Sequence, residues 1–170
     1  MYSQILSYLC RFAAQTNTFA MYDFLKTTHS IIRYIVLLGG IGAIVTILMA
    51  ARQRVKLFST IFLASSHLQL VIGLVLYFGN GWFGLLKEQG MKGIMEASKQ
   101  YPHLRFFIVE HIAMMIIAII LVTIGHSKLK KALASNGKLS TPLILFVVAL
   151  LVMLASIPWP FREALGRGWV

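Results

Sequence analysis

One cysteine, five acids and four prolines are all that this 170-residue chain holds of those residue types. Each shortage removes a class of function. The lone thiol, Cys10, excludes an internal disulfide and any thiolate-held metal or iron–sulfur cluster. Charged residues make up 12% of the chain, about half the share of an ordinary soluble domain. With so little charge and 58% hydrophobic residues, the sequence reads as a membrane protein rather than a soluble enzyme or a disordered segment.

Four apolar runs are long enough to read as spans, at about 28–50, 57–78, 104–125 and 142–157. Each approaches the ~20 residues that cross a hydrocarbon core of ~30 Å, the fourth only barely. The expected fold is an all-α integral membrane four-helix bundle occupying residues 21–170. Gly79, Asn80 and Gly81 break the chain after the second span. Residues 83–99 then mix Leu85, Met91 and Ile94 with Lys87, Glu88 and Lys92. That mixture predicts a short amphipathic helix lying at the interface between spans two and three. Trp82 and Phe83 are expected at the same interface. Residues 1–20 stand apart as an N-terminal extension, read either as an interfacial helix with Ile5, Leu6, Leu9 and Phe12 on one side or as the product of an upstream start before Met21.

The net charge of +11 is a matter of placement. Arg52, Arg54 and Lys56 fill the first connection, residues 51–56. Lys128, Lys130, Lys131 and Lys138 fill the third, residues 126–141, and neither contains an acid. Four spans put both connections on one side, which the positive-inside rule makes cytoplasmic, with both termini periplasmic. The cations then contact anionic headgroups of the lipid bilayer, and no nucleic acid is implied because no basic face carries interleaved aromatics.

Ionisable residues inside the spans carry the remaining chemistry, because such groups are costly in hydrocarbon. Counting along the helices puts Glu110 and His111 about 9–11 Å below the outer surface and His67 about 16 Å below it. His29 and Arg33, one turn apart on one face, sit near the outer mouth of the first span. Two chemistries suit such a cluster. Imidazoles from two helices can clamp the iron of haem b, with His67 and His111 as the first pair and His29 with His111 as the second. Arg33 and Arg105 then meet the propionates, and Ser66, Gln69 and Tyr77 supply supporting hydrogen bonds. Alternatively Glu110 and a histidine relay protons, with or without quinone, or Glu110 simply pairs with Arg33. Gly39, Gly40 and Gly42 mark a close-packing helix face.

The pattern Thr28, His29, Arg33; Ser66, His67, Gly73, Tyr77; Val109, Glu110, His111, Met115; and Ser156, Pro158, Trp159, Pro160, Arg162 resembles a small four-span family of Bacteroidota membrane proteins usually labelled "cytochrome B". The resemblance covers about residues 21–170. It implies an inner-membrane protein that binds haem b, with His29, His67 and His111 matching the histidines of the pattern, and it supplies no reaction. A more distant likeness is to the four-helix half-bundles of haem A synthases. The leading expectation is an electron carrier, exchanging electrons with quinone or a respiratory-chain partner. The alternatives are a cofactor-free accessory subunit of a larger membrane complex and a membrane enzyme of haem or quinone metabolism.

Overall fold

In the structure, a computed structural model, the backbone is described for residues 2–165, 168 and 169, and the side chains of these from residue 20 onward. The face expected of Ile5, Leu6, Leu9 and Phe12 lies outside the described side chains. The backbone there does not form a separate element: α1 runs unbroken over Tyr2–Leu48. It is followed by α2 (Arg52–Gly79), α3 (Trp82–Ala97), α4 (Pro102–Arg105), a π-helical turn (Phe106–Glu110), α5 (His111–Ala134), α6 (Ser140–Ser156) and a 3-10 turn (Glu163–Leu165). Among the described residues there is no strand.

Three helical segments are long and apolar enough to cross a membrane: Ala20–Leu48, Arg52–Gly79 and Pro102–Ala134, the last being α4, the π turn and α5 read as one. The helix Ser140–Ser156 is apolar but shorter. Large apolar side chains cover the outside of the molecule. Ile31, Ile35, Leu38 and Val45 line the outer face of α1, Leu68, Val71 and Val75 that of α2, and Ile116, Ile120 and Ile124 that of α5. In water such continuous apolar surface would drive aggregation; in a bilayer it is the lipid contact.

Two helical hairpins, α1 with α2 and α5 with α6, make the closest contacts, and α2–α5 and α1–α6 contacts join them. Glycine sets the first hairpin. A Cβ on Gly39 would lie 2.9 Å from the Phe62 backbone nitrogen, and one on Gly40 would lie 3.1 Å from the Phe62 ring. The small face therefore packs backbone against backbone, as the sequence suggests. Phe62 fills the centre with Phe146, ring centroids 5.8 Å apart, among Ala43, Val55, Ala118, Val122 and Ala149.

The turns follow local chemistry. Gly81 takes φ +74° between α2 and α3, a left-handed conformation open to glycine without steric cost. Asn136 takes φ +50° after α5, which asparagine tolerates better than most residues. Pro102 opens α4 at its first position, where its missing N–H costs nothing. Arg52 Nη1 donates to Asn136 Oδ1 at 3.1 Å, so the α1–α2 and α5–α6 connections meet at one end of the molecule. The basic residues of both are gathered there. α3 is amphipathic and kinked at Gly90 (φ +64°, ψ 175°). Phe83 is exposed, but Trp82 turns inward and stacks on Phe107, centroids 5.2 Å apart and planes 19° from parallel. Trp82, expected at the interface, thus also joins α3 to the π turn by an aromatic contact.

Candidate functional site

The end of α6 builds the site. A helix leaves its last carbonyls without intrahelical donors, and here prolines extend the deficit. Residues 158 and 160 are both proline, so neither Leu154 nor Ser156 can receive the N–H from four residues on. Side chains take over. Trp159 Nε1 donates to Leu154 O at 2.9 Å, Arg162 Nη1 to Ala155 O at 3.1 Å, and His111 Nδ1 to Ser156 O at 2.8 Å. A carbonyl only accepts, so the His111 proton sits on Nδ1. In the neutral ring the lone pair is then on Nε2, the pattern of histidines oriented for metal binding.

The π turn aims His111. Its i→i+5 bonding inserts an extra residue per turn, a distortion often found at functional sites. The carbonyl of Ile108, inside the turn, accepts from Tyr77 Oη at 3.1 Å. The same geometry aligns residues five apart, and Arg105 Nε meets Glu110 Oε1 at 2.6 Å. Both side chains of that pair are more than a third exposed. The expected Glu110–Arg33 pairing is not formed, and Arg105 serves Glu110 instead of facing the site. An unbroken α-helix, the geometry used to count depths from sequence, places residues five apart on different faces.

His111 faces His29. Their ring centroids are 6.4 Å apart with planes inclined at 64°. Phe106 and Phe107 flank His111 at 5.8 and 6.3 Å. Both histidines line a partly open cavity of about 300 Å³ between α1, α2, α5 and the chain after α6. Its α1 wall is a polar stripe of Tyr22, Lys26, Ser30 and Arg33, and its deeper part is apolar, with Leu70, Ile112, Met115 and Met153. Gly73 makes room for His29: a Cβ there would come within 3.1 Å of His29 Cε1. Gln69 Nε2 holds the His29 backbone carbonyl at 2.8 Å. Several buried polar atoms around the cavity lack a protein partner: His29 Nδ1, Ser66 Oγ and Gln69 Oε1. Arg33 spends its Nη2 on the Tyr34 hydroxyl (3.1 Å) and on Trp169 O (2.6 Å), tying the chain end to α1.

His67 is elsewhere. It is exposed on the outer face of α2, with Nδ1 2.9 Å from Leu63 O, and it does not line the cavity. The His67–His111 clamp is therefore not formed; the second pair, His29 with His111, is the one brought together. Depth along the helix suggested His67, but rotation about the helix axis decides which neighbour a side chain meets. Tyr22 and Lys26 were missed because the first span was started at residue 28, and Ser30, inside it, because a lone serine in an apolar helix carries no signal by itself. Their i, i+4, i+8 spacing with Arg33 was the available signal. Among the described residues no group of three or more His, Cys, Asp or Glu side chains gathers to hold a metal ion. No protein-family model matches the chain, and neither a curated protein nor a solved structure does.

Proposed function

We propose that the chain is a four-span bacterial inner-membrane protein that binds one haem b between His29 and His111 and carries electrons, with quinone or a membrane-complex partner at the other end of the transfer. The observation that carries this reading is the pair of imidazoles facing one another across the cavity, one of them fixed by Ser156 O. Two imidazoles on opposite sides of one metal ion have ring centres about 6.3 Å apart, from metal–nitrogen bonds of about 2.0–2.1 Å and ~1.1 Å more to each centre. A direct imidazole–imidazole hydrogen bond would bring them to about 5.2 Å. The observed 6.4 Å exceeds the second distance and is compatible with the first.

The donor set narrows the metal. Two imidazoles, with no third clustered ligand among the described residues, suit a bare ion poorly, whereas an iron porphyrin brings four nitrogens and asks the protein for two. A cavity of about 300 Å³ is at the small end of cofactor sites, so a porphyrin takes up the cavity and its mouth. Lys26 and Arg33 line the polar wall there and suit its carboxylates. When bound, haem supplies one-electron chemistry. The protein's part is to hold His111 in one tautomer through Ser156 O, to wedge His29 against Gly73, and to keep the pocket apolar beneath.

The orientation proposed places the basic end with Arg52 and Asn136 in the cytoplasm and the histidine end outside, α3 lying along the outer surface. Purified in detergent from haem-replete cells, the protein is expected to show a Soret band and a reduced-minus-oxidised α band. His111→Ala abolishes both, His29→Ala alters them, and His67→Ala leaves them unchanged. A folded but colourless wild-type protein overturns the reading and favours a cofactor-free accessory subunit.

A further inference from the structure

The two facing histidines are not equivalent. His111 has its Nδ1–H committed to Ser156 O at 2.8 Å, which fixes the ring and its tautomer. His29 has no such hydrogen bond: its Nδ1 is buried without a partner, and its ring lies over Gly73 and edge-on to the His111 ring. The wall beside His29 is also the one with unanswered polar groups. Ser66 is 1% exposed and Gln69 is half-buried, one turn apart on α2, with Ser66 Oγ and Gln69 Oε1 both unpartnered. A buried hydroxyl without a partner costs about 1–3 kcal/mol, and one at a cavity wall is positioned to donate to a guest.

We infer that the site has a fixed side and an exchangeable side: His111 is the permanent ligand, while His29 gives way to a small neutral diatomic of the carbon monoxide kind, which the Ser66 hydroxyl then contacts. This rests on the haem-binding reading above. The step is a ligand exchange. If haem is held here, its iron would exchange a bond to a His29 ring nitrogen for one to the diatomic's carbon or nitrogen, with no electron or proton transferred. Distal donors and steric access are the features that set diatomic binding in such pockets, and here α2 supplies the donor and Gly73 the space.

The test uses the full-length protein in detergent, loaded with haem, reduced with dithionite and exposed to carbon monoxide. A shift of the Soret band is expected. His29→Ala retains haem, and its carbon monoxide association rises by about tenfold because the competing ligand is gone. Ser66→Ala keeps the Soret shift but moves the infrared C–O stretch, a readout to which mere loss of packing does not contribute. Should the wild-type protein hold haem yet give no Soret shift, exchangeability is overturned while the haem reading stands. Loss of haem in His29→Ala with retention in His111→Ala overturns the assignment of sides. A colourless wild-type protein removes the underlying reading and this inference together, and an unmoved C–O stretch in Ser66→Ala removes the role of that hydroxyl.

Discussion

His111 Nδ1 lies 2.8 Å from the carbonyl oxygen of Ser156, across 45 residues of sequence. The contact exists because α6 ends at Ser156: Ile157, which precedes Pro158, is extended, and Pro160 has no N–H to offer, so Ser156 O has no helical donor. One imidazole thus does two jobs: it completes the end of α6 and is itself set in the Nδ1–H form.

Pro160→Ala is the direct probe of that relationship. The new N–H is the one that a further turn of α6 would aim at Ser156 O, in competition with His111. Nitrogen-15 NMR of the ring is expected to show one Nδ1–H tautomer in the wild type and a mixture with Nε2–H in the variant. An unchanged single tautomer in Pro160→Ala would mean that the proline is not what reserves this carbonyl.

The sequence reached the helices more surely than the site. The apolar runs, the Gly79–Gly81 break and the Gly39–Gly42 packing face are local signals. Helices form at the runs, three segments of them long and apolar enough to cross a membrane and Ser140–Ser156 shorter. The break and the packing face appear where expected. The histidine pairing is not local. Both His67 and His29 sit on apolar helices, and only the rotation of α2 against α1, set by Gly39 meeting the Phe62 backbone, turns His67 outward and Gln69 and Gly73 toward His29. The π turn was illegible for the same reason: the composition of residues 106–110 does not distinguish five-residue from four-residue bonding.

Close approach at Gly39 predicts a position-specific cost. In Gly39→Ala the added methyl meets the backbone nitrogen and Cα of Phe62 at 2.9 and 3.1 Å, and backbone cannot swing aside as a side-chain tip can. The hairpin must separate, costing about 1–3 kcal/mol. Gly79→Ala, where nothing lies within 4 Å, serves as the control. Thermal unfolding in detergent should fall for the first substitution and stay level for the second; equal midpoints would contradict backbone-to-backbone packing.

Tyr77 predicts a subtler loss. Its hydroxyl donates to Ile108 O within the π turn at 3.1 Å, and the residue is buried. Tyr77→Phe keeps the ring contacts with Trp82 and Phe78 but removes the hydroxyl's hydrogen bond to a buried carbonyl, at a cost of about 0.5–1.5 kcal/mol. Hydrogen exchange should quicken around residues 106–112 more than in the hairpin of α1 and α2. A uniform change, or none, would show that the turn holds without this bond.

Arg52 and Asn136, joined at 3.1 Å, predict the sidedness of the whole chain. If both connections emerge at one face, single cysteines placed at Arg54 and at Lys138 in a Cys10→Ser background must react with a membrane-impermeant thiol reagent from the same side. A cysteine at Lys99, near the end of α3 and two residues before Tyr101, must react from the other. In intact cells the Lys99 position should be labelled while both basic positions stay protected, and inverted vesicles should reverse the pattern. Labelling of Arg54 and Lys138 from opposite sides would mean that one of the two segments between them, α2 or the run from α4 to α5, does not cross.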